Sequence, residues 1–327
     1  MKQIDISVNV CTYNRAEMLR GTLESLICQK TDGKFSYEIV VVDNASTDDT
    51  KAVVEQVSKN SLVPIRYIFE ENKGVAQARN RGIKESQGAW IAFFDDDQLA
   101  ESDWLYELYD MVSETNANCT GGPYFLRLKE QELNRLTPTL RAILGDYQHG
   151  NKKRRCNRNT VPATGNALVK KPVFDIVGNF DTTMTQGGSD NDFFRRVLRA
   201  GFEIWFTPKA KIYHIVPSYR LKDGYFLRTS NSHGCNLAKI DYKEKGLTCL
   251  FLLCIARIGQ ALLINLPLMC WGYLKRYNEE ILSRKCLLWQ AVGYTRKTLF
   301  LIAPRVFTQE RFFARLEFRE KRTFKHK

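Results

Sequence analysis

Apolar segments of two alternating types fill the first third of the chain, and this alternation restricts the fold more than any other feature. Residues 4–10 place an apolar side chain at every second position, as a strand does, and residues 18–27 then follow at helical spacing. Two continuous apolar runs of strand length end at Asp43 and Phe94, and each precedes another helical pattern. Strict alternation of strands and helices predicts a parallel sheet with helices on both faces.

Polar residues cluster directly after three of these predicted strands. The clusters are the segment CTYNR at 11–15, the pair Asp43–Asn44 and the triplet 95–97, which reads DDD. Taken alone, the triplet has a simple alternative reading as an acidic turn, because Asp is a good turn former. Ligands of open α/β sheets bind outside the carboxyl ends of the strands, however, so all three clusters are expected at one edge. Their combination favours a binding site.

The acidic triplet suits a hard divalent cation, because Mg²⁺ and Mn²⁺ prefer oxygen ligands. Asp95 and Asp97 can reach one ion from a single turn, and an ion there can neutralise the charge that develops on a departing diphosphate. The sequence contains neither a GxxxxGK[ST] phosphate loop nor a GxGxxG segment after a strand. We therefore expect metal and basic side chains to hold the phosphates of a nucleotide.

The chain resembles the family 2 glycosyltransferases, whose nucleotide-sugar-binding domain has the Rossmann-like GT-A fold. The resemblance runs from about residue 6 to residue 216 and rests on several motifs in the family's order. It implies a mostly parallel α/β sheet flanked by helices, and an inverting transfer of a sugar from a nucleotide-diphosphate sugar to an acceptor hydroxyl. The motifs are VNVCTYNR, EIVVVDNASTDDT, NKGVAQARNRGI, IAFFDDDQ, TGNALVKK, FDTTMTQGGSDNDFFRRVLRAG and, more loosely, AKIYHIVP.

The resemblance implies roles in donor binding for four residues outside the acidic triplet. Thr12, Asn14 and Asp43 are implied as contacts to the nucleotide base and ribose, and Arg79 is implied near the base or the diphosphate. A UDP-sugar is the expected donor, because uridine is the commonest nucleotide in the family.

The resemblance also implies a divalent cation, Mn²⁺ or Mg²⁺, as cofactor. Asp95 and Asp97 look like the two ends of the family's DxD motif, with Asp97 as the direct metal ligand. Asp96 makes the register ambiguous and is kept as a donor-site residue. A His near the position of His214 can contact metal or diphosphate in related transferases, so His214 is a further candidate, although a lone His is more often structural.

A second acidic cluster lies in GGSDNDFFRRVLRAG, residues 187–201, at the start of a predicted helix. Carboxylates interact favourably with a helix N-terminus, so capping by Asp190 and Asp192 is the alternative to a catalytic role. The resemblance implies that Asp190 is the general base, with Ser189 replacing the Glu that usually precedes it in the family. Asp192 and Asn166 are the expected acceptor contacts.

The C-terminal part of the chain differs in composition from the rest. We expect it to form an extension that is helical, apolar and basic. Residues 246–274 are the most apolar stretch and are long enough to span a bilayer. An interfacial or re-entrant helix, a full span, and a buried core or dimer helix all remain open. The stretch is interrupted by Arg257, Gln260, Asn265 and Pro267.

The basic tail favours the membrane readings. Residues 275–327 contain fourteen Lys/Arg and five Asp/Glu, a net charge of +9 out of the +13 of the whole chain. Cations beside a membrane gain about 1 kcal/mol each near an anionic leaflet, and aromatic residues favour its interface. We expect an anionic membrane surface as a partner, and no nucleic acid. The aromatic residues mixed with these cations are Trp289, Phe300, Phe307, Phe312 and Phe313.

Four segments with distinct tasks are therefore expected. The N-terminal MKQIDISVNV has no apolar signal region, and nine cysteines show no CxxC spacing, so reduced thiols and a cytoplasmic active site are expected. The enzyme is expected at the inner face of the cell membrane, in the assembly of a cell-surface polysaccharide or glycolipid from a glycan or lipid-linked acceptor. The segments are a catalytic domain over 1–216 (donor half to about 124, acceptor half over 125–216), a helical connection over 217–245, an apolar membrane-associated segment over 246–274 and a basic, aromatic region over 275–327.

Other functions explain fewer of these features. A phosphatase with a strand-end DxD needs a following Thr or Val-Thr pattern, whereas Gln98-Leu99 follows here, and a nucleotidyltransferase needs a Gly-rich basic loop after the first strand. The basic tail and KKRR at 152–155 suggest a nucleic-acid-binding protein, whose affinity would fall steeply with salt. A non-catalytic nucleotide-sugar-binding scaffold is the remaining alternative, and the presence of both Asp97 and Asp190 argues against it.

Overall fold

The computed structural model describes residues 4–184 and 188–307. It divides into two compact units, which we call the sheet unit (1–129 and 145–216) and the helical unit (130–144 and 217–327). Residues 130–144, which the sequence-based division placed in the acceptor half of the catalytic domain, thus group with the C-terminal helices. Gly187 and the tail from residue 308, including Phe312 and Phe313, lie outside the described residues.

The described part of the chain forms the following elements. The strands are β1 (Ile6–Thr12), β2 (Tyr37–Asp43), β3 (Ile65–Phe69), β4 (Trp90–Asp95), β5 (Gln98–Ala100), β6 (Cys119–Gly121), β7 (Tyr124–Arg127), β8 (Arg154–Arg155), β9 (Ala167–Lys170), β10 (Ile204–Phe206) and β11 (Ile212–Ile215). The helices are α1 (Ala16–Ile27), α2 (Thr50–Lys59), α3 (Val75–Glu85), α4 (Trp104–Thr115), α5 (Glu130–Arg135), α6 (Pro138–Ile143), α7 (Pro172–Val177), α8 (Ser189–Arg199), α9 (Asp223–Gln260), α10 (Leu266–Lys275) and α11 (Asn278–Ile302).

The central sheet has eight strands in the order β3-β2-β1-β4-β9-β6-β10-β8. The first four strands are parallel, as predicted, whereas β9 is antiparallel to both β4 and β6, and β8 is antiparallel to β10. A second sheet pairs β11 with β5 in antiparallel and with β7 in parallel orientation. The predicted mostly parallel α/β fold is confirmed, with an antiparallel strand at its centre.

Helices cover both faces of the sheet, and the alternate side chains of β4 pack against helices on opposite sides. Ala92 and Phe94 pack in a core with residues of α1, α2 and α4, while Ile91 and Phe93 pack in a second core with residues of α3, α7 and α8. All seven residues of β2 are buried, which accounts for its continuous apolar sequence.

The helical unit is built around α9 and α11, which pack against each other. Within α9 the backbone leaves helical geometry at Gly246, where φ is 75°, at the start of the predicted apolar segment. A π-helical turn, Ala261–Asn265, then joins α9 to α10. In the described residues, the stretch Asp223–Lys275 is the one helix long and apolar enough to cross a membrane, judged by length and composition alone.

Ser46 and Thr47 precede the second helix in sequence but do not cap it. Helix α2 begins only at Thr50, and the side chain of Asp48 accepts hydrogen bonds from the backbone amide and hydroxyl of Thr50. Ser46 and Thr47 instead bind Asn14, in the loop that follows β1.

Candidate active site

The strand order reverses between β1 and β4, and this reversal creates the crevice where the predicted site residues meet. From β1 the chain extends the sheet through β2 and β3 in one direction, and β4 then pairs with the other edge of β1. In the parallel register Thr12 lies beside Asp43, and Cys11 lies beside Asp95. The three polar clusters therefore share one sheet edge, as predicted, at the kind of switch point where α/β proteins bind ligands.

Side-chain hydrogen bonds fix the turn that carries the acidic triplet. The buried Thr22 hydroxyl contacts the carbonyl oxygens of Asp96 and Gln98 at 3.0 and 2.9 Å. Gln98 closes the turn with its own amide group, which accepts from the Asp95 backbone N–H at 3.2 Å and donates to Asp95 Oδ2 at 3.3 Å. The carboxylates thus project from a rigid turn.

Residues 164–166 pack directly under this turn. A Cβ on Gly165 would lie 2.4 Å from Asp95 Oδ2 and 2.5 Å from Gln98 Nε2, so only glycine allows this close approach. The fully buried Asn166 amide donates to the carbonyl oxygens of Pro123 and Ala210 and accepts from the indole N–H of Trp104 at 2.7 Å. These contacts give Asn166 a supporting position and do not favour the acceptor contact expected from the sequence.

Basic side chains compensate the negative charge of the triplet. Arg15 places one nitrogen, Nη1, 2.7 Å from Asp96 Oδ1 and 2.8 Å from Asp97 Oδ2. His214 Nε2 lies 3.4 Å from the same Asp97 oxygen. Arg79, which is buried, lies 3.3 Å from Asp95 Oδ1. Every carboxylate of the triplet therefore has a basic partner.

The electrostatics of the site follow from this crowding. Burial raises the pKa of Asp96 to about 6, although attraction by Arg15 acts in the opposite direction. Burial also raises the pKa of Asp95, and repulsion by Asp97 adds to the increase, while Arg79 opposes it. For Arg79, burial alone would lower the pKa, but attraction by Asp95 and Asp190 outweighs it. The carboxylates are thus held where additional positive charge stabilises their ionised form.

The predicted base and ribose contacts lie at the ends of β1 and β2. Asn14 adopts a left-handed conformation with φ of 51°, and its side-chain oxygen accepts from the backbone N–H of Thr47 at 2.7 Å. The buried Asp43 carboxylate accepts from the Ser46 N–H at 2.9 Å and from the Tyr67 hydroxyl at 2.6 Å. Both polar groups are thereby held in fixed orientations.

The second acidic cluster opens α8, as predicted, and its two carboxylates differ. Asp190 is half-buried and close enough to Arg79 and Asp95 to influence their pKa values. Asp192 is buried, and its Oδ2 accepts from Arg196 Nε at 3.0 Å. The Asp190 carboxylate accepts from the Asn191 N–H at 2.8 Å at the start of the helix, whereas Asp192 anchors a helix side chain, which does not favour its expected acceptor contact.

The donor set of the triplet fits a divalent cation that binds few protein ligands. Asp97 and His214 offer an oxygen and a nitrogen 3.4 Å apart, with Asp95 two residues away on the same turn. Across residues 4–184 and 188–307, no three acidic, His or Cys side chains converge tightly enough to enclose a metal by themselves. Mg²⁺ and similar ions commonly take one or two carboxylates and complete their shell with water and phosphate oxygens.

Sequence reasoning missed three residues that shape this site. The motif CTYNR predicted no role for Arg15, although a cation following a strand-end polar cluster is a natural partner for acids on the neighbouring strand. No structural role was expected for Gln98, which closes the acidic turn. Tyr67 gave no signal, because its hydroxyl meets Asp43 only through the pairing of β2 with β3.

Comparison with known proteins identifies the class to which this fold and site belong. The model of the family "Glycosyl transferase family 2" matches residues 7–177, slightly more than half of the chain. The chain therefore belongs to glycosyltransferase family 2, as the motifs predicted. It is 26% identical over 292 residues to the succinoglycan biosynthesis protein ExoM of Rhizobium meliloti (strain 1021), covering 84% of this chain and 88% of that protein. It is 31% identical over 202 residues to the glycosyltransferase AglE of Haloferax volcanii, covering 62% and 64% of the two chains.

Solved structures share the fold. The mannosyltransferase PcManGT of Pyrobaculum calidifontis, solved with GDP-Man and Mn²⁺, matches with a TM-score of 0.62 at 17% identity, covering 90% of this chain and 88% of that one. GalNAc-T7, solved with UDP, GalNAc and Mn²⁺, matches with a TM-score of 0.52 at 17% identity, covering 71% of this chain and 51% of that one. These likenesses establish the fold.

Proposed function

We propose that this glycosyltransferase is an inverting, metal-dependent enzyme that transfers a hexose from a nucleotide-diphosphate sugar to a hydroxyl of a glycan or lipid-linked acceptor. The observation that carries the proposal is the ion pair between Arg79 and the acidic triplet at the switch point of the sheet, where β2 also ends at Asp43. The electrostatic influence of Asp190 on Arg79 adds to it. The relation to a succinoglycan biosynthesis protein supports a role in cell-surface polysaccharide or glycolipid assembly.

The donor occupies the edge formed by β1, β2 and β4 in this proposal. Asp43 and Asn14, with Thr12 at the end of β1, bind the base and ribose in this proposal. Hydrogen bonds from Ser46, Tyr67 and Thr47 fix the orientation of the Asp43 and Asn14 side chains at this edge. Arg79 supplies positive charge for the diphosphate from a buried position beside Asp95. A UDP-sugar is the proposed donor, and a GDP-sugar is the alternative, since neighbours of the same fold were solved with UDP and with GDP-Man.

A divalent cation would be held by Asp97, with Asp95 and His214 as further ligands. When bound, such a cation neutralises the charge that develops on the departing diphosphate.

Asp190 acts as the general base in this proposal. The acceptor oxygen forms a bond to the anomeric carbon while the bond from that carbon to the diphosphate oxygen breaks. The proton of the acceptor hydroxyl passes to the Asp190 carboxylate. A single displacement of this kind inverts the anomeric carbon and needs no covalent enzyme intermediate. The electrostatic influence of Asp190 on the pKa values of Arg79 and Asp95 supports this role, because Arg79 is the residue proposed to bind the donor diphosphate.

Membrane attachment through the helical unit completes the proposal. Within the apolar segment, the buried positions lie along one side and include the polar residues Asn265 and, half-buried, Arg257. Leu263 and Leu274 remain 79% and 78% exposed on the remaining surface. A helix whose exposed residues are mainly apolar suits an apolar surrounding better than water. We place the enzyme at the cytoplasmic membrane face, where nucleotide sugars are available.

Thermal unfolding with a nucleotide panel tests the donor and metal parts. Ligands that bind only the folded state raise stability by RT ln(1 + [L]/Kd), so the panel of UDP, GDP, CDP and ADP should be run with and without Mn²⁺. We expect one of these four nucleotides to raise the Tm more than the others do, and to raise it further when Mn²⁺ is present. The absence of stabilisation by every nucleotide at millimolar concentration would contradict donor binding.

Fractionation tests the membrane part separately. The full chain should sediment with membranes and resist a high-salt wash, because apolar contacts do not depend on salt as charge contacts do. Release by alkaline carbonate would favour an interfacial helix, whereas resistance to it would favour a span. Full-length protein that remains soluble without detergent would refute membrane attachment without affecting the donor site.

A further inference from the structure

Arg15 occupies the carboxylates that the proposed cation would use. A single nitrogen, Nη1, contacts Asp96 at 2.7 Å and Asp97 at 2.8 Å, bridging two adjacent acids. Both carboxylates are almost fully buried, with side-chain exposures of 8% and 4%, so their interaction with the guanidinium is poorly screened by water. The guanidinium thus provides the positive charge that balances these two carboxylates.

Arg15 is well placed to move. It is the last residue before α1, its backbone is not helical, and 29% of its side chain is exposed. The acids, in contrast, belong to a turn fixed by Thr22 and Gln98. A change in this ion pair is therefore carried by the long, partly exposed arginine side chain rather than by the triplet.

A divalent cation and the guanidinium cannot share these acids without repulsion. The oxygen that Arg15 contacts on Asp97 is the one that His214 approaches at 3.4 Å, which makes it the oxygen best placed for an ion held by both residues. Binding of the ion alone must therefore displace Arg15. Arrival of a diphosphate changes the balance, because phosphate oxygens offer the displaced guanidinium new bidentate partners.

We propose that Arg15 couples the binding of the cation to the binding of the nucleoside diphosphate, by occupying Asp96 and Asp97 until phosphate oxygens provide an alternative partner. The inference rests on the proposed function, since it assumes that a cation and a nucleotide bind at this edge. Its consequence is that the site binds the cation weakly until a donor is present. Linkage makes the coupling reciprocal, so the cation must strengthen nucleotide binding by the same factor.

Removal of the positive charge at position 15 tests the coupling. Mn²⁺ binding should be measured by calorimetry and by the Mn²⁺ resonance signal, with and without saturating UDP or GDP, for the full-length wild type and Arg15→Gln. We expect Arg15→Gln to bind Mn²⁺ alone about 10-fold more tightly than the wild type, and to show a smaller effect of nucleotide on that affinity. An unchanged or weaker Mn²⁺ affinity in folded Arg15→Gln overturns the inference.

Two control variants separate charge from structure. Arg15→Lys keeps the charge and should retain the weak binding of Mn²⁺ alone, so an affinity equal to that of Arg15→Gln would contradict the mechanism. Arg20→Gln removes a cation from α1 itself, where Arg20 donates to Gln56 Oε1, and should leave Mn²⁺ binding unchanged. A tighter Mn²⁺ affinity in Arg20→Gln would also overturn the inference.

The same measurements distinguish failure of the inference from failure of the proposed function. Wild-type protein that binds Mn²⁺ and a nucleotide with a coupling factor below about 5 overturns the role of Arg15, even if Arg15→Gln does not fold, and leaves the donor site intact. Wild-type protein that binds neither Mn²⁺ nor any nucleotide overturns the donor site, and the role of Arg15 falls with it.

Discussion

The sheet unit and the helical unit distribute polar and apolar residues in opposite ways. In the sheet unit, strands such as β2 are buried along their whole length, and acidic residues concentrate where the strands end. In the helical unit, Arg257 lies 4.5 Å from the ring centroid of the buried Tyr294, and the buried Asn265 accepts from Arg284, while large apolar residues such as Leu263 are exposed. The first arrangement fits water as the surrounding medium, and the second fits an apolar medium.

The two units also differ in how their secondary-structure elements pack against each other. The sheet unit buries large side chains such as Phe93 and Trp104 between its layers. In the helical unit, α9 and α11 approach so closely that a Cβ on Gly234 would lie 2.0 Å from the carbonyl oxygen of Gln290, and a Cβ on Gly293 would lie 2.0 Å from that of Asn231. Contact through small residues is a common form of helix packing where burial of large apolar groups gives little advantage. Gly234 and Gly293 thus let the backbones of α9 and α11 approach closely at this crossing, which precedes the apolar segment of α9.

The largest effect should follow from loss of the predicted metal ligand in the sheet unit. Asp97→Ala removes the carboxylate that Arg15 and His214 both contact, and we expect kcat/KM to fall about 10³-fold or more, since metal stabilisation is worth several kcal/mol. Mn²⁺-dependent stabilisation by nucleotide should disappear. The control is Asp110→Ala, which removes an exposed carboxylate paired with Lys34 on the same unit. Full activity of Asp97→Ala at saturating donor would contradict the assignment of Asp97 as a metal ligand.

A second change separates chemistry from binding at the same edge. Asp190→Asn keeps the size of the side chain but cannot accept the acceptor proton, so kcat should fall about 10²-fold or more. Donor affinity, measured by calorimetry, should remain close to that of the wild type.

Asp192 provides the matched comparison on the same helix. Asp192→Asn weakens the ion pair with Arg196, and we expect it to lower the Tm more than it lowers kcat. If Asp190→Asn retains kcat, then Asp190 only supports the start of α8. A large loss of kcat at an unchanged Tm in Asp192→Asn would restore its expected contact to the acceptor.

The proposed apolar surrounding of the helical unit can be tested with one exposed leucine from each unit. Leu263→Asp should weaken membrane retention about 10²-fold, because exchanging Leu for Asp within a bilayer costs roughly 3 kcal/mol. Leu62, which is fully exposed in the turn before β3, is the control, and Leu62→Asp should have no effect on retention. Equal retention of the Leu263 variant and the wild type after a high-salt wash would break the comparison between the two units.

The smallest effect is expected at the crossing of α9 and α11. Gly293→Ala places a methyl group against the Asn231 carbonyl, and we expect it to destabilise the helical unit by about 1–3 kcal/mol, measured by unfolding in detergent. Gly259→Ala is the control on α9, because a Cβ there meets no atom within 4 Å. It should be neutral or stabilising by up to about 1 kcal/mol, since Ala favours helix more than Gly. Equal effects of the two substitutions would refute the close crossing.

Much of the fold was predictable from the sequence because it follows from the local pattern of apolar and polar side chains. The alternation in residues 4–10, the continuous apolar run ending at Asp43 and the helical spacing in α1 each depend on neighbouring residues alone. The meeting of Thr12, Asp43 and Asp95 at one edge also followed, because parallel strands align their carboxyl ends. The family motifs added the expected roles of these residues, which remain predictions.

Other features depended on contacts between residues distant in sequence. The antiparallel strand β9 lies between β4 and β6, and its local apolar pattern does not specify its direction. Ser46 and Thr47 hold Asn14 in the loop after β1, although side chains of these types also cap helices and α2 follows them closely in sequence.

Sequence alone thus determined the alternating strands and helices of the first third of the chain and where charge concentrates, because these depend on side-chain periodicity and on charged residues adjacent in the chain. Only the tertiary structure decided which charges neutralise each other and which polar groups form hydrogen bonds within the protein. Arg15 forms ion pairs with Asp96 and Asp97, which lie more than eighty residues away in sequence. The side-chain amide of Asn166 forms hydrogen bonds with Trp104, Pro123 and Ala210. The physical reason is that electrostatic and hydrogen-bond energies depend on distances of a few ångströms, which are fixed only when the layers of the protein pack.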